Sequence, residues 1–271
     1  MVKVAFFQTA PTFGTIEENV EKVVKKLESP AMEGVRLVVL PELFSTGYQF
    51  RSKRELSRLA EPLRDSIAVR ALCSVARRRK MHIVFGMAEK DGRRLYNSSV
   101  LVGPRGVGGV YRKAHLFWDE KKLFDAGNTP LRVYPAGSLK VGMMICFDWV
   151  FPEVARVLAL EGADLICQPA NLVLPYCPSA MITRSIENRV FSITANRVGT
   201  EERIKGKTLK FIGLSQIVSP DGTVLKRAGS IRPQIGIAEI DIKAARDKWI
   251  TPKNHLFRDR RPAMYRRLLK K

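Results

Sequence analysis

The sequence has little histidine and little cysteine, the residues that build most metal and redox sites. Of its 271 residues only three are histidine and four are cysteine. The cysteines are Cys73, Cys146, Cys167 and Cys177, and none of them form a Cys-x-x-Cys pair. This spacing gives no indication of a zinc site or a dithiol redox pair.

Long apolar runs and a serine nucleophile motif are also missing. No apolar run reaches the length that crosses a membrane, and residues 1–8 are too short and too soon polar for a signal peptide. The chain has no Gly-x-Ser-x-Gly elbow, so a serine hydrolase is not expected. These absences predict a soluble, cytoplasmic protein with no membrane partner, and its length suits a single domain covering residues 1–271.

Acidic residues are scarce relative to basic ones. The chain has 47 Lys and Arg against 26 Asp and Glu, a formal net charge of +21. Basic residues cluster at 77–80 and again at 258–271. Such charge can serve nucleic-acid binding, but aromatic residues are sparse near these runs and no DNA- or RNA-binding motif is present. We therefore expect a solvated surface or a dimer-exchanged tail, and no nucleic-acid partner.

One cysteine stands in a setting typical of a reactive thiol. Cys146 follows the apolar run 141–145, which is typical of a buried strand, and Pro152 with Glu153 indicates a helix start. A thiol on the turn between them would lie near the positive end of a helix dipole, which favours the thiolate and lowers the pKa. A buried structural cysteine is the alternative that this stretch alone leaves open.

A glutamate follows another strand-like run. Residues 35–40 are apolar and rich in β-branched side chains, and Pro41 cannot continue a central strand, so Glu42 lies just past the strand end. Beside Leu43 and Phe44 the carboxylate would be partly desolvated, which raises its pKa and suits a general base near neutral pH. An ordinary solvated loop glutamate is the alternative.

A lysine occurs in an extended segment with alternating character. Alternation over residues 110–117 places Tyr111, Lys113 and His115 on one side and leaves Arg112 in solvent on the other. An inward ammonium group would stabilise negative charge developing on a carbonyl or nitrile, whereas the alternative is a surface lysine. His115 would face the same pocket, in either a supporting or a packing role.

Together these segments resemble the nitrilase superfamily of carbon–nitrogen hydrolases. The resemblance is carried by Pro41–Phe44, Tyr111–Phe117, Cys146–Trp149 and Phe151–Glu153, which stand in the family's order of Glu, Lys and Cys. Further segments that look like the family are 1–8, 162–165, 169–171, 187–189 and 219–222. The likeness therefore covers almost the whole chain, and it is strongest to short thermophilic archaeal nitrilases, which share the Cys-Phe-Asp-Trp run.

The resemblance implies a role for each matching residue. Glu42 would be the general base, Lys113 the stabiliser of the tetrahedral intermediate and Cys146 the nucleophile. Glu120 stands about where the family has a second glutamate, and the backbone N–H of Phe147 would join Lys113 in the oxyanion hole. Chemistry of this kind requires no metal and no organic cofactor.

The order of segments predicts an α/β protein. Helical patterns lie between the early strand-like runs and again between the late ones, which indicates sheets covered by helices on their outer faces. Thr15–Glu18 predicts a capping box, and Asp91-Gly92 and Asp221-Gly222 predict hairpin turns. The resemblance implies a four-layer α-β-β-α sandwich, a homodimer or higher homo-oligomer, and a C-terminal tail, residues 243–271, that contacts a partner subunit.

The residues that would contact substrate are less well marked. The candidates are Tyr48, Trp118, Phe147, Trp149 and Asn171, and Trp149 is the best candidate for a pocket wall because it lies three residues past the nucleophile. The Phe-Asp-Trp run after Cys146 leaves the choice between amide and nitrile open.

We therefore predict a hydrolase that converts a small amide or nitrile to a carboxylic acid and ammonia through a cysteine thioester. One alternative is a hydrolase of N-carbamoyl or N-acyl amino acids, in which Arg184 or Arg189 would have to bind the substrate carboxylate. A second alternative is a non-catalytic, nucleic-acid-binding member of the fold.

Overall fold

The computed structural model describes residues 1–269. Its strands are β1 (Val2–Gln8), β2 (Val35–Val39), β3 (His82–Asp91), β4 (Arg94–Gly103), β5 (Gly106–Arg112), β6 (Val133–Ala136), β7 (Leu139–Met143), β8 (Leu165–Pro169), β9 (Phe191–Ala195), β10 (Val198–Ile204), β11 (Lys207–Ile212), β12 (Gln216–Val218), β13 (Val224–Arg227), β14 (Gln234–Ile240), β15 (Trp249–Thr251) and β16 (Asn254–His255). Its α-helices are α1 (Ile16–Leu27), α2 (Lys53–Leu59), α3 (Ile67–Arg79), α4 (Glu120–Leu123), α5 (Pro152–Leu160), α6 (Cys177–Asn188) and α7 (Ile242–Arg246). Short 3-10 helices span Pro30–Met32, Cys146–Val150 and Pro262–Leu269.

Two six-stranded sheets form the centre of the molecule. The first has the order β14-β1-β2-β3-β4-β5 and the second β13-β12-β9-β8-β7-β6. Parallel pairing joins β1, β2 and β3 in one sheet and β7, β8 and β9 in the other. The carboxyl ends of parallel strands meet at one edge of a sheet, which is where loops with functional side chains collect in open α/β folds.

The sheets pack face to face, and helices cover their outer faces. Apolar side chains of both sheets share one core; six of its fully buried members are Val4, Leu37, Val84, Val141, Cys167 and Ile193. Helices α1 and α3 pack on the outside of the first sheet, and α5 and α6 pack on the outside of the second. The predicted four-layer α-β-β-α sandwich is confirmed.

Apolar periodicity predicts helices over residues 16–27, 66–79, 152–160 and 179–190. These ranges overlap α1, α3, α5 and α6, and the first and third coincide with the bounds of α1 and α5. The strands without a strand-like run in the sequence are β6, β10, β11, β13, β15 and β16, and of β5 only the end was predicted to be extended. The residues of these strands are largely half-buried or exposed. Strands of that kind lack a continuous apolar run, so they carry a weak sequence signal. Both hairpin turns are confirmed, with Gly92 at φ 58° and Gly222 at φ 88°.

The predicted capping box at α1 is wrong. The side chain of Thr15 caps no helical N–H, and its hydroxyl donates to the Thr12 carbonyl at 3.3 Å. Asn19 binds this segment instead, accepting from Thr12 N at 3.0 Å and donating to Ser45 O at 2.8 Å. The hydrogen bond from Asn19 to Ser45 therefore fixes the start of α1, and the predicted cap from Thr15 does not form.

The C-terminal segment 243–269 consists of short elements on the surface. Lys248 Nζ donates to the carbonyls of Asn188 and Arg189 at 3.1 and 2.7 Å, which ties the start of the segment to its own chain. Met264 and Leu268 are exposed. Contact of this tail with a partner subunit stays a prediction, and Lys270 and Lys271 lie outside the described residues. No helix within residues 1–269 is long and apolar enough to span a membrane.

A glycine on β3 allows the segment that carries Glu42 to approach the sheet. A Cβ at Gly86 would lie 2.4 Å from Glu42 Cα and 2.8 Å from Leu43 N. Gly86 N donates to Pro41 O at 3.1 Å, and Phe44 N donates to Gly86 O at 3.2 Å. The turn after β2 is therefore fixed against β3 by backbone contacts that only glycine permits.

Gly86→Ala should destabilise the fold by about 1–3 kcal/mol because the added methyl group forces the Glu42 backbone away from β3. Urea denaturation measures the change. The matched control is Gly108→Ala on β5, where an added Cβ has no neighbour closer than 3.7 Å. Equal stability of both variants would contradict this account of the Glu42 turn.

Candidate active site

Three loops at one end of the sandwich bring the predicted Glu, Lys and Cys together. Glu42 follows β2 and Lys113 follows β5, while Cys146 opens the 3-10 helix after β7. All three are buried, with Glu42 0%, Lys113 1% and Cys146 6% exposed. The charges of Glu42 and Lys113 both act on the Cys146 thiol, so residues separated by as many as 104 positions along the chain form one cluster.

Lys113 is the centre of this cluster. Its Nζ lies 2.7 Å from Glu42 Oε1 and 2.8 Å from Glu120 Oε1. Its backbone is fixed as well, since Lys113 N donates to Asn97 O at 2.8 Å and Gly127 N donates to Lys113 O at 2.9 Å. A buried ammonium group is stable only when paired and hydrogen-bonded, and the two carboxylates satisfy that condition.

The two oxygens of Glu42 have different environments. Oε1 accepts from Lys113 and, at 2.7 Å, from Asn97 Nδ2. Oε2 is buried and has no hydrogen-bond partner among residues 1–269. Asn171 Nδ2 donates to the Glu42 backbone carbonyl at 2.9 Å. The carboxylate is thus held on one side and has an open lone pair on the other.

Glu120 is fixed by groups on three segments. Besides Lys113, its carboxylate accepts from Tyr48 Oη at 2.6 Å and from Phe117 N at 3.1 Å. Tyr48 N in turn donates to the carboxylate of Glu201 on β10 at 3.2 Å. The predicted residue Tyr48 therefore contacts the cluster through Glu120.

The backbone at Cys146 is in a conformation that non-glycine residues rarely adopt. Its φ is +39°, in the left-handed region that costs of order 1–3 kcal/mol when surrounding structure imposes it. Gln168 Nε2, on β8, donates to the Cys146 carbonyl at 2.9 Å. Thr194 Oγ1 donates to Gln168 Oε1 at 2.8 Å. A fully buried amide thus stabilises the turn that presents the thiol.

A third buried carboxylate, that of Asp148, organises the turn that carries Cys146. Asp148 Oδ2 accepts from Tyr111 Oη at 2.9 Å and from Ile145 N at 2.8 Å. Asp148 Oδ1 lies 2.7 Å from His115 Nδ1. The ring of His115 stacks on Phe151 at 3.6 Å between centroids. His115 thus supports the turn that carries Cys146, and it packs at the same time.

Electrostatics at the thiol differ from the expectation. Burial, followed by the charge of Glu42, raises the pKa of Cys146 well above its usual range, although Lys113 opposes the rise. The predicted lowering by a helix dipole is wrong, because burial outweighs it and the helical turn at 146–150 is a short 3-10 segment. The resting thiol is protonated and needs a base to react.

The pKa values of Glu42 and Lys113 are shifted as well. Burial raises the pKa of Glu42, as expected, and Lys113 opposes this rise. Burial alone would lower the pKa of Lys113, but Glu120 and Glu42 outweigh it and raise that pKa well above its usual range. Lys113 is therefore an ammonium ion at neutral pH.

A small cavity adjoins the thiol. It has a volume of about 20 Å³, room for little more than one water molecule. It is lined by Phe117, Cys146, Phe147, Trp149, Asn171, Leu172, Val173 and Leu174. Three predicted substrate contacts thus lie at this cavity. Tyr48 and Trp118 line a separate cavity of about 40 Å³ beyond Glu120, and Trp118 is 57% exposed.

Arg112 was expected in solvent, and that expectation is wrong. Its side chain is only 14% exposed and pairs with the buried Glu89, with Asp91 at 2.9 Å. It also lies over the ring of Tyr96 at 4.0 Å. Alternation did place Arg112 on the opposite side of the strand from Lys113, but that side is covered by the β3–β4 hairpin.

Sequence reasoning missed several residues that hold the cluster. Asn97, Gln168 and Glu201 are buried residues inside strands, and nothing in the local sequence distinguishes them from other strand positions. Asp148 stands in the Cys-Phe-Asp-Trp run, so its position two residues past Cys146 was a usable signal. Within residues 1–269, no group of three or more His, Cys, Asp and Glu side chains is arranged to hold a metal ion.

Comparison with known proteins identifies the class and then the family. A family model described as carbon-nitrogen hydrolase matches residues 3–248. A nitrilase from Pyrococcus abyssi is 48% identical over 265 residues, covering 98% of this chain and 99% of that one. An (R)-stereoselective amidase from a Pseudomonas species is 34% identical over 250 residues, covering 90% and 88%.

A solved structure agrees with these sequence matches. The crystal structure of a carbon–nitrogen hydrolase from Helicobacter pylori has a TM-score of 0.90 at 26% identity, covering 100% of this chain and 99% of that one. The fold is therefore that of an α/β carbon–nitrogen hydrolase. The chain belongs to the carbon–nitrogen hydrolase family of the nitrilase superfamily, and the resemblance noted from its motifs is confirmed.

Lys113→Met should destabilise the protein by about 3–5 kcal/mol, because it leaves Glu42 and Glu120 buried without their cation. The deficit relative to the parent should grow as the pH rises. Without the ammonium, nothing opposes the rise that burial causes in the pKa of Glu42. The variant is therefore most stable below the ordinary glutamate pKa of about 4.3, where Glu42 is neutral in both the folded and the unfolded state. That stability is lost as the pH rises through the raised pKa of folded Glu42.

Urea denaturation of the parent and the variant between pH 4 and pH 8 measures this difference. Lys122→Met is the matched control, since that lysine is 81% exposed and lies 3.5 Å from Asp119. Its effect should stay below about 1 kcal/mol. A Lys113→Met deficit as small as the control, or independent of pH, would contradict the assigned ion cluster.

Proposed function

We propose that this chain hydrolyses a small, uncharged amide or nitrile to a carboxylic acid and ammonia. Cys146 is the nucleophile, Glu42 the general base and Lys113 the cation that stabilises the tetrahedral intermediate. Glu120 holds the ammonium of Lys113 in place. The observation that supports this assignment most strongly is the asymmetry of Glu42, whose Oε1 binds Lys113 and Asn97 while its buried Oε2 has no partner among residues 1–269.

Acylation begins with the protonated thiol. Glu42 Oε2 takes the proton of Cys146 as the sulfur attacks the substrate carbon, so a thiolate need not exist beforehand. The negative charge that develops on the carbonyl oxygen is stabilised by Lys113 and the backbone N–H of Phe147. Glu42 then returns the proton to the amide nitrogen, the C–N bond breaks, ammonia leaves, and a thioester remains on Cys146.

Deacylation uses the same groups in reverse. Water attacks the thioester carbon while Glu42 takes one of its protons, and the C–S bond breaks to release the carboxylic acid and the thiol. On the nitrile route, thiol addition gives a thioimidate, to which one water adds before ammonia leaves and the same thioester forms. The two routes share Glu42, Lys113 and Cys146, so one site supports either substrate class.

Two features of the site favour a small substrate without a carboxylate. The cavity at Cys146 is compact and walled by Trp149 and other apolar side chains. Arg184 pairs with Glu187 at 3.1 Å and donates to Trp149 O at 3.3 Å. Arg189 donates to Asp247 O at 2.8 Å. Both guanidinium groups thus bind oxygens of the protein, and neither Arg184 nor Arg189 lines the cavity at Cys146, which weakens the alternative of an N-carbamoyl or N-acyl amino acid substrate.

Cys146→Ala should lose about 10⁴-fold or more of ammonia release, since removal of a nucleophile ends covalent catalysis. The assay compares short aliphatic amides with aliphatic nitriles and carbamoyl amino acids. Cys73→Ala is the matched control, because that cysteine lies in α3 on the outside of the first sheet, and it should keep full activity.

The relative rates decide between the substrate classes. Release from neutral amides or nitriles that depends on Cys146 supports the proposal. Faster release from carbamoyl amino acids would favour the alternative. Folded protein that releases no ammonia from any of these compounds, or a Cys146→Ala variant as active as the parent, would refute the proposed reaction.

A further inference from the structure

A basic cleft opens at the end of the sandwich opposite to Cys146. It has a volume of about 630 Å³, within the range of small-molecule sites. It is lined by Met1, Val2, Lys3, Gly34, Arg36, Lys80, His82, Ala136, Gly137, Ser138 and Glu239. The amino ends of β1, β2 and β3 supply one wall, and the turn between β6 and β7 supplies the other. The cleft therefore spans both sheets.

The charges in this cleft are not balanced within residues 1–269. Arg36 and Lys80 have no carboxylate partner within 4.0 Å there, whereas Lys3 has one long contact of 3.9 Å to Glu239. Three cations thus face one carboxylate. Because no carboxylate in the described part of the chain neutralises Arg36 and Lys80, their positive charge is available to an anionic ligand.

His82 lies on the wall of the same cleft. Its ring is half-buried against Gly103, where an added Cβ would lie 2.6 Å from a ring carbon. Burial lowers the pKa of His82, and the charge of Arg105 lowers it further. Besides His82, the charged side chains that line the cleft are the cations Lys3, Arg36 and Lys80 and the carboxylate Glu239, whereas the charge that acts on the pKa of His82 is that of Arg105. A positive field around a concave site attracts anions.

The shape and lining indicate which anion fits. No aromatic side chain other than the His82 imidazole lines the cleft, so it offers no stacking platform for nucleobases. Arginine and lysine in a concave site suit phosphate oxygens, which accept bidentate, charge-assisted hydrogen bonds. We propose that the cleft formed by Lys3, Arg36, Lys80 and His82 binds a small phosphate-bearing polyanion, independently of the reaction at Cys146.

A second basic surface provides a contrast. Lys22, Lys25 and Lys26 lie together on α1 with Glu28 and Ser29. Lys22 pairs with Glu18 at 2.6 Å, and Glu28 pairs with Arg78. A single helix supplies this surface and carboxylates lie among its lysines, so we expect no specific site there.

Calorimetric titration of the full chain with inorganic pyrophosphate tests the proposal, with sodium chloride at matched ionic strength as the blank. Pyrophosphate should bind saturably, and Arg36→Gln/Lys80→Gln should weaken binding by about tenfold or more. Lys25→Gln/Lys26→Gln removes the same charge from the contrasting surface and should leave the affinity unchanged. Circular dichroism of the unliganded variants checks that both remain folded.

Proton NMR of the histidine rings gives a second readout. Saturating pyrophosphate should raise the pKa of His82, assigned with His82→Gln, because the bound anion offsets the surrounding cations. Non-saturable binding, equal loss in both double variants, or an unchanged His82 titration would overturn the proposal. Tighter binding of a single-stranded oligonucleotide that needs Arg36 and Lys80 would replace it with a nucleic-acid surface.

Discussion

The buried ion cluster around Lys113 is the interaction on which the rest of the site depends. Its ammonium joins Glu42 and Glu120 at 2.7 and 2.8 Å, with all three side chains almost wholly removed from solvent. Burial favours the neutral form of Glu42, which the cation opposes, and it favours the neutral form of Lys113, which the two carboxylates outweigh. Loops from β2, β5 and α4 are thereby held together at one end of the two sheets.

This cluster also explains why the thiol need not be a thiolate at rest. Burial and the charge of Glu42 keep the proton on Cys146. In the proposed reaction that proton passes to Glu42 Oε2, which has no partner within residues 1–269. The strained turn at Cys146 is supported by Gln168 and Asp148. Strain of this kind persists only where the surroundings over-determine the backbone, and the hydrogen bonds from Gln168 and to Asp148 supply that constraint.

The sequence was informative where chemistry coincides with the end of a strand. Glu42, Lys113 and Cys146 each follow an extended run, so local pattern and the family resemblance were enough to select them as candidates. The alternation of strands and helices predicted sheets covered by helices, and the resemblance supplied the four layers. Asn97 and Gln168 had no such signal. Asn97 reaches Glu42 because of the register of β4 in its sheet, and Gln168 reaches the Cys146 carbonyl because β8 lies beside β7. Arg112 shows the same limit, since alternation gave its side of the strand but not its partner Glu89. Local reasoning about a helix dipole also failed at Cys146, where burial decides the pKa.

The most direct test is mass spectrometry of the peptide that contains Cys146, after rapid acid quenching of the protein during turnover of a neutral amide or nitrile. The account predicts a mass increase equal to the substrate acyl group on Cys146, and none on Cys73, Cys167 or Cys177. In Glu42→Gln the adduct should not accumulate, because the thiol proton has no acceptor. Turnover with an unmodified Cys146, or full adduct formation in Glu42→Gln, would contradict the central claim.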